Sequence, residues 1–541
     1  MSSQPRPLAN FSPSTWGDEF SSIPRDIKLW KEYSKERDVL KEEVRSLLLS
    51  SDGKWTDKLI LINAVERLGV SYHFTQHMEE KVAEMYQNLE TEEYHDLFTT
   101  AVFFRVFRQH GYKISSDVFN KYKEIDGKFG DGIAKDTIGI LSLYEAAQLR
   151  THGEAVLDEA LDFTTSQLKC MVQTLKSGLL ARQVMRALKQ PSHKGILRIE
   201  AKQFISFYEE DPSKNEVLLK FAKLDFNLVQ MLYMQELSLV TRWWAALQFD
   251  SKLPELRSRV VEAYFWAVAI SFEPCYSLVR IMYAKMICAI TVADDLYDAY
   301  GTIDELGIYT KAIARMDVES MEELTGYSRT CYEIGLNVFQ EFEEELIKHG
   351  RYYDVSCLKE TFKTNLRCYH TEAKWRDKNY IPPFQDYHLN GATSSGICML
   401  GISVILGMGK ADAIDACDWV MKKPKAVFAA EAMGRTINDI VDVEEDHTRP
   451  HVATSIDCYT KEYGVPKEEA ITALYNLIED KWRDMNEAYM RPTPVPVHYI
   501  DIFLNAMRIC DVTYKGGDGY THPEEHLKHE IYYMLLEPQP M

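Results

Sequence analysis

Apolar residues recur at intervals of three and four along most of this chain, which is the period of an amphipathic α-helix. The stretch WKEYSKERDVLKEEVRSLLL at 30–49 follows this period, and EEELIKHG at 343–350 ends on a glycine that is typical of a helix C-cap. Alternating patterns flanked by hairpin turns are scarce. Prolines such as Pro254, Pro274 and Pro496 lie between the periodic segments, as expected for residues that interrupt helices. The pattern predicts an all-α fold.

The length of the chain predicts two domains. A chain of 541 residues is too long for one ordinary hydrophobic core. No repeat of fixed period and no low-complexity linker marks the boundary, so we place it near Leu224, before the segment LDFNLVQMLYMQELSLVTRWW. This division gives two α-helical domains, at 1–223 and 224–541.

One segment resembles a membrane span in composition. Residues 387–409, YHLNGATSSGICMLGISVILGMG, have no formally charged side chain unless His388 is protonated. The polar side chains of Asn390, Thr393 and Ser403, together with several glycines, disfavour contact with lipid. We therefore predict a buried core helix with a local break.

The overall composition is that of an acidic globular protein. Apolar residues make up 46% of the chain, and the formal net charge of −20 disfavours nucleic acid and anionic membrane surfaces as partners. Ten cysteines occur without a C-x-x-C pair, which fits reduced thiols better than disulfides or a zinc site. The N-terminal MSSQPRPLANFSPSTW lacks the apolar core of a signal peptide. We expect a cytoplasmic protein that acts as a monomer.

The segment DDLYD is the first candidate for metal binding. Asp294 and Asp298 are four residues apart, so on a helix their carboxylates share one face and repel each other unless a cation joins them. The alternative is a solvated acidic face, which is common in acidic chains. The flanking ITVADD and YDAYG are largely uncharged and favour burial.

A second oxygen-rich stripe lies in NDIVDVEED. Asn438, Asp442 and Asp446 repeat the four-residue spacing over two helical turns, although the polar VEEDHTRPH also fits an exposed helix end. Magnesium prefers hard oxygen ligands and usually takes one or two carboxylates, with water and substrate phosphates completing its shell. The two stripes together therefore suggest a magnesium cage for a diphosphate.

Three arginines are candidates for binding that diphosphate. Arg257 and Arg259 flank Ser258, and Arg435 precedes Asn438 by three residues, so it projects near the second stripe if both lie on one helix. Guanidinium groups make bidentate contacts with phosphate and stay charged. An ordinary surface pair is the alternative for Arg257 and Arg259. In a chain of this net charge, such arginines and divalent cations are needed to attract an anionic substrate.

Aromatic residues supply candidates for the remainder of the pocket. In YFWAVAISFEP, the face of the Trp266 indole can stabilise a cation, although core packing is the more common role of such residues. Near the C-terminus, DVTYKGGDGYTHPEE combines Tyr514, Asp518 and Tyr520 with three glycines. This composition suits a loop that closes over a site, and a plain surface loop is the alternative.

With these residues in view, the chain resembles plant terpene synthases of the class I, metal-ionising type, and most of all the sesquiterpene synthases. The resemblance extends over nearly the whole length, and no D-x-D-D motif of the protonation-initiated type occurs. The matching segments are RPLANFSPSTW with Arg6, Pro7 and Trp16, RLGVSYHF at 67–74, RSR at 257–259, YFW, FEPCYS, DDLYDAYGT, NDIVDVEED and DGYTHPEE.

The resemblance implies two α-helical domains, with an N-terminal α-barrel that is catalytically silent and whose first residues cap the active site. Chemistry is expected in the C-terminal class I terpenoid synthase domain. The implied metal residues are Asp294, Asp295 and Asp298 in the first motif, with Asp294 and Asp298 as direct ligands and Asp295 in a mainly supporting role, and Asn438, Asp439, Asp442 and Asp446 in the second. The family's second motif usually has a hydroxyl residue and a glutamate where this chain has Asp442 and Asp446, so the geometry of a third metal ion stays open.

The resemblance also assigns roles to the other candidates. It implies diphosphate binding by Arg257, Arg259 and Arg435, pocket roles for Trp266 and Tyr520, and a helix break at Ser394, Ser395 and Gly396. Asp518 and Tyr520 resemble loop residues that assist proton transfer, although released diphosphate is an equal candidate for the proton acceptor. Tyr514 is expected at the substrate. The implied cofactor is Mg²⁺, as three ions, with Mn²⁺ as a substitute.

The expected reaction is ionisation of farnesyl diphosphate, followed by cyclisation and quenching of the cation to a sesquiterpene. Three alternatives stay open. A monoterpene synthase would use geranyl diphosphate. A prenyl-elongating transferase would need a second basic pocket, for which KKPK at 422–425 is the candidate cluster. A non-catalytic helical scaffold would carry the acidic motifs as surface decoration.

Overall fold

The computed structural model describes residues 6–9, 11–24, 26–50, 53–88, 96–174, 178–442 and 453–541, with the side chains of residues 174 and 442 excepted. Within these ranges the chain is almost entirely helical. It contains no β-strand there beyond the isolated bridges Lys123–Phe129 and Lys515–Gly517. The predicted all-α fold is confirmed.

The helices of the first half of the chain are α1 (Ile27–Leu49), α2 (Trp55–Arg67), α3 (Thr75–Gln87), α4 (Leu97–Gln109), α5 (Thr137–Ala147), α6 (Ala155–Thr174), α7 (Leu179–Lys189), α8 (Leu197–Glu210), α9 (Glu216–Ala246), α10 (Phe249–Lys252) and α11 (Val260–Ile270). Those of the second half are α12 (Ser277–Asp295), α13 (Ile303–Arg315), α14 (Gly326–Lys348), α15 (Ser356–Asp377), α16 (Phe384–Ser394), α17 (Ile397–Met408), α18 (Ala413–Met421), α19 (Lys425–Asp442), α20 (Ser455–Tyr463), α21 (Lys467–Ala488), α22 (Val497–Tyr514) and α23 (Leu527–Leu535). Short 3₁₀ turns occur at Ser71–His73, Ser116–Tyr122, Ser192–Lys194, Pro274–Tyr276 and Glu319–Glu323, and a π-helical turn at Leu296–Tyr300.

The chain divides into two compact units. The larger unit comprises residues 1–24, 233–482 and 495–532, and the smaller unit comprises residues 25–232, 483–494 and 533–541. The chain passes from the smaller unit to the larger unit between Leu232 and Tyr233, inside α9. The domain boundary between residues 223 and 224 stays a prediction.

The smaller unit is built around α4, whose sequence LFTTAVFFRVFRQ is apolar on most of its faces. Phe104 and Phe107 are fully buried, and Asp96 begins the helix by accepting a hydrogen bond from the Thr99 amide at 2.8 Å. Helices α2 and α5 pack against α4, and α6 packs against α5, to form the main hydrophobic core. Burial of large aromatic side chains supplies the main stabilising free energy here.

The larger unit contains helices that are apolar all round. In α17, ICMLGISVILGM, every residue except the last is buried, as expected for a helix surrounded by others. By length and composition the stretches Pro274–Tyr300 and Phe384–Met408 could cross a membrane, but 67% and 83% of their apolar windows are buried within the protein. Both stretches are therefore core segments of the larger unit.

A buried ionic cluster in the smaller unit links α4 to neighbouring segments. The His110 ring contacts Glu66 at 2.6 Å and Glu79 at 3.0 Å, and Arg491 contacts Glu79 at 2.5 Å. Burial disfavours the imidazolium, but the two carboxylates outweigh it and raise the pKa of His110 to about 10. The hydrogen bond from His110 lowers the pKa of Glu79 to about 2.

We expect the variant His110→Gln to lower the free energy of unfolding by about 2 kcal/mol near pH 6, because it leaves the partly buried carboxylate of Glu66 without its cation, whereas Glu79 keeps Arg491. The folded-state pKa of His110 lies above its ordinary value of 6.5, so this contribution is complete below about pH 6.5 and is lost as pH rises towards 10. Urea unfolding of both proteins at pH 6 and pH 9.5 measures the difference. His77→Gln, on α3 and outside the cluster, is the control, and an unchanged His110→Gln difference at the two pH values contradicts the prediction.

Candidate active site

The larger unit encloses a cavity of about 650 Å³. Segments from α11, α12, α15, α16, α17, α19 and α22 contribute to its wall. Its polar lining residues include Arg257, Thr291, Asp294, Asp298, Glu372, Ser394, Ser395, Arg435, Asn438, Asp439, Thr454, Asp457, Asp518 and Thr521. Its aromatic and aliphatic lining residues include Phe11, Trp266, Ile287, Ile290, Tyr297, Tyr369, Tyr387, Leu400, Tyr514 and Tyr520. The cavity thus combines many charged oxygen and nitrogen atoms with an apolar, aromatic wall.

The first acidic motif lies where α12 ends and the π-helical turn begins. Asp294 and Asp298 both line the cavity, and 34% and 36% of their side chains are exposed. Arg376 donates to the Asp298 carboxylate at 3.3 Å. The predicted common face is therefore present, although Asp298 reaches it from a π turn, a feature often found at functional sites.

Asp295 differs from Asp294 and Asp298 because its carboxylate is buried and hydrogen-bonded within the protein. Only 1% of its side chain is exposed, and it accepts hydrogen bonds from the backbone amide and Nε of Arg257, at 2.6 and 2.7 Å. The same guanidinium donates to Asp294 at 2.8 Å and to the Thr521 hydroxyl at 2.9 Å. Burial raises the pKa of Asp294 to about 7, although Arg257 acts in the opposite direction.

The second motif has the same division of roles. Asn438 lines the cavity, whereas Asp439 is buried and accepts hydrogen bonds from the Tyr387 hydroxyl at 3.1 Å and from the amide and hydroxyl of Ser455 at 2.9 and 2.5 Å. Asp439 therefore joins α19 to α16 and to the first turn of α20. The side chain of Asp442 and the whole of Asp446 lie outside the described residues, so their predicted metal roles stay predictions.

Arg435 is held at the cavity by three neighbours. Its guanidinium donates to the Ser394 hydroxyl at 2.9 Å and to the Gly391 carbonyl at 3.3 Å, and lies 3.7 Å from Asp439. A Cβ atom at Gly391 would lie 2.9 Å from the Arg435 side chain, so this glycine provides the space for it. Burial disfavours the charge, but Glu372 and the other nearby anions outweigh it and raise the pKa of Arg435.

Arg259 takes a different position from Arg257. Its guanidinium donates to the carbonyl of Thr521 at 2.8 Å and to the carbonyl of Ser12 at 3.0 Å. It joins the N-terminal segment to the loop after α22, and it is absent from the described lining of the cavity. Direct contact between Arg259 and a diphosphate stays a prediction.

The predicted helix break is present between α16 and α17. Gly396 has φ +76°, in the left-handed region that favours glycine, and it separates Ser395 from the first residue of α17. Ser394 donates to the Glu372 carboxylate at 2.6 Å, and Ser395 donates to the Ala392 carbonyl at 2.7 Å. The break therefore places both serines in the cavity wall, beside Arg435.

The aromatic candidates meet at one part of the wall. Trp266 contacts Tyr520 and Tyr514 edge to face, with ring centroids 5.9 and 6.5 Å apart. The Tyr520 hydroxyl pairs with the Thr291 hydroxyl at 2.8 Å. Asp518 accepts hydrogen bonds from the amides of Tyr520 and Thr521, both at 3.0 Å, so it shapes the loop that presents Tyr520.

Several cavity residues were not singled out from the sequence. Glu372 on α15 contacts Ser394 and Asn390, and Tyr387 on α16 contacts Asp439. Phe11 lies under the Arg257 guanidinium, with 4.9 Å between the ring centroid and Cζ. The only sequence signal for Glu372 was an acid on the mostly buried face of α15, which is too common to be diagnostic.

The KKPK cluster does not form a second basic pocket in the described structure. Lys423 contacts the fully buried carboxylate of Glu431 at 3.1 Å and the Thr393 hydroxyl at 2.6 Å. Its charge is therefore used to pair with an anion of α19. This arrangement disfavours the prenyl-elongating transferase.

Comparison with known families gives this site its context. Residues 15–188 match the N-terminal domain of terpene synthases, and residues 245–484 match the metal-binding domain of the same family. The chain belongs to the terpene synthase family. It is a terpene synthase that uses divalent metal ions and acts on a small-molecule prenyl diphosphate.

Relatives and solved structures agree with this assignment. This terpene synthase is 45% identical to the hedycaryol synthase of Camellia brevistyla and 46% identical to a valerianol synthase of Camellia sinensis, over 99% of its own length and 97% of theirs. It superimposes on limonene synthase with 2-fluorolinalyl diphosphate with a TM-score of 0.91 at 28% identity, covering 99% and 100% of the two chains. Isoprene synthase from grey poplar, solved with three Mg²⁺ ions and dimethylallyl-S-thiolodiphosphate, gives 0.88 at 30% identity, covering 95% and 98%. The resemblance stated from the motifs is confirmed.

We expect Gly396→Ala to lower terpene formation at least about tenfold, because the left-handed backbone disfavours a Cβ and the break would shift the two serines and Arg435. Gly464→Ala is a matched control, since Gly464 has φ +66° at the end of α20 and no atom within 4 Å of an added Cβ. Both variants should lose about 1 kcal/mol of stability. Thermal unfolding and product assays compare them, and equal activity of the two variants contradicts the prediction.

Proposed function

We propose that this chain is a sesquiterpene synthase that ionises farnesyl diphosphate with Mg²⁺ and converts the resulting cation to a cyclic sesquiterpene and diphosphate. Hedycaryol synthase and valerianol synthase, its full-length relatives, are sesquiterpene synthases, which supports the same class for this chain. The observation that carries the proposal is one cavity in which oxygen ligands from two helices and two arginines adjoin an aromatic wall.

The residues at the cavity fit a magnesium site. Asp294, Asp298 and Asn438 all offer oxygen atoms to the cavity, and magnesium prefers such ligands. Arg257 contacts the Asp294 carboxylate at 2.8 Å, and a third of that side chain stays exposed towards the cavity. We propose that these three residues hold Mg²⁺ directly, whereas Asp295 and Asp439 support them from within the protein. Three ions are proposed, with Asp442 and Asp446 as further ligands.

Bound Mg²⁺ supplies positive charge that stabilises the departing diphosphate. The protein's own contribution begins with Arg257 and Arg435, which line the same cavity and bind diphosphate oxygens through their guanidinium groups. The C1–O bond of the substrate then breaks, and both electrons leave with the diphosphate. Arg259 contributes by keeping the loop around Thr521 in place over the cavity.

The allylic cation then depends on the apolar wall. The π faces of Trp266, Tyr514 and Tyr520 stabilise positive charge, and the buried aliphatic residues exclude water that would quench the cation early. An alkene π bond of the same substrate attacks the cation and closes a ring. A final proton passes to the released diphosphate, either directly or through the Tyr520 hydroxyl, which pairs with Thr291 and gives up its own proton as it accepts the new one.

We propose that the N-terminal segment caps this cavity. Phe11 reaches the wall beside Arg257, and Trp16 anchors the segment by donating to the buried Glu262 carboxylate at 2.6 Å. Arg6 adds a bidentate contact to Glu305, at 2.8 and 2.9 Å. Residues 1–223 otherwise form the catalytically silent domain, and residues 224–541 form the catalytic one.

We further propose a cytoplasmic monomer without nucleic acid or membrane partners. All ten cysteines are free thiols, and the charge of −20 repels polyanions.

The substrate is tested by incubating the purified protein with farnesyl, geranyl or geranylgeranyl diphosphate, with and without Mg²⁺. Gas chromatography with mass detection should find a magnesium-dependent C15 product from farnesyl diphosphate. A dominant C10 product from geranyl diphosphate would replace the proposal with a monoterpene synthase. Mn²⁺ is expected to restore part of the activity.

We expect Asp294→Asn to reduce diphosphate release about a hundredfold or more, because the amide removes a charged metal ligand while preserving shape. Asp304→Asn is the matched control, since Asp304 is an exposed residue in the first turn of α13. Circular dichroism confirms that both variants are folded. Normal turnover by folded Asp294→Asn at every Mg²⁺ concentration would remove Asp294 from the metal site.

A further inference from the structure

Gly434 occupies a position whose backbone conformation does not require a glycine. It lies inside α19, directly before Arg435, with an ordinary helical backbone. Glycine is among the least favourable residues in a helix interior, so its presence there calls for a reason of space. Gly434 is buried and lines the cavity.

The space is occupied by two neighbours from other helices. A Cβ atom at Gly434 would lie 2.8 Å from Cδ1 of Ile397 and 3.3 Å from Sγ of Cys510. Ile397 begins α17, directly after the helix break, and Cys510 belongs to α22. Both side chains are at least 94% buried and line the same cavity, so neither can yield freely into solvent.

The position of this contact relates it to the reaction. Arg435 follows Gly434 directly, and Ser395 precedes Ile397 by two residues. This part of the wall therefore adjoins the residues proposed to bind the diphosphate. A methyl group added here would displace Ile397 or Cys510 towards the cavity and reduce the room for the folded prenyl chain.

We propose that Gly434 is a specificity-determining residue of this terpene synthase. By lacking a Cβ it lets the side chains of Ile397 and Cys510 pack directly against α19, and the room that this packing leaves in the cavity selects which conformation of the cation cyclises. The proposal rests on the proposed conversion of farnesyl diphosphate. Small differences suffice, because a tenfold change in a product ratio corresponds to 1.36 kcal/mol between two competing barriers.

The test compares products from farnesyl diphosphate by gas chromatography and total turnover by released diphosphate. Gly434→Ala should change the ratio of the main product to all other terpenes at least fivefold. Gly307→Ala is the matched control: Gly307 is also inside a helix, α13, but an added Cβ would meet no atom within 4 Å, so its products should equal those of the wild type. A merely destabilising change would lower total turnover and leave the ratio unchanged.

A compensating variant makes the test specific. Ile397→Val deletes Cδ1, the atom nearest to the added methyl, so Gly434→Ala/Ile397→Val should return the product ratio towards that of the wild type. Ile397→Val alone enlarges the cavity at the same place and should also shift the ratio, which tests the proposal even if Gly434→Ala does not fold. If Gly434→Ala folds and gives the product ratio of the wild type, the proposal is overturned. If Gly434→Ala does not fold, a wild-type product ratio from Ile397→Val overturns it. Failure of the wild type to release diphosphate from farnesyl diphosphate would instead overturn the proposed function.

Discussion

The Arg257 guanidinium lies among Asp294, Asp295 and Thr521, and this one set of contacts joins three separate stretches of the larger unit. Buried charges are unfavourable without partners, so a cavity that contains several carboxylates must also contain cations. Arg257 meets this requirement on the side of α12, and Arg435 meets it on the side of α19. Arg257 and Arg259 also hold the loop after α22 and the N-terminal segment, through contacts with Thr521, Phe11 and Ser12.

The same requirement explains why each of the two motifs contains two kinds of polar residue, one enclosed by the protein and one facing the cavity. Asp295 and Asp439 have their oxygen atoms occupied by protein donors, and each connects its helix to another segment. Asp294 and Asn438 precede them directly and face the cavity. A buried carboxylate whose oxygen atoms are all hydrogen-bonded fixes the orientation of its helix end. The neighbouring residue, proposed as a metal ligand, is thereby held in place while its own oxygen atoms stay available to the cavity.

The apolar wall of the cavity requires apolar and aromatic residues instead of charged ones. A cation in a dry cavity needs π faces and must not meet water, so α11, α12 and α17 are apolar on nearly every side. Such helices resemble membrane spans in composition, and burial within the larger unit distinguishes them. Close packing of these walls also means that one absent methyl, at Gly434, alters the shape of the space that the substrate meets.

The sequence by itself determined the helical class, the helix break and the residues of both acidic motifs, because helical periodicity, glycine conformation and spacing along one helix are local properties. It also indicated the family, since several separate motifs occur in order along the chain. It could not show that Arg259 bonds the carbonyls of Ser12 and Thr521, or that Glu372 supports Ser394 at the cavity, because these contacts join residues far apart in the chain. Only the tertiary structure decided which carboxylates face the cavity and which are enclosed. That choice depends on the packing of one helix against another, and neighbouring aspartates such as Asp294 and Asp295 are chemically identical until that packing forms.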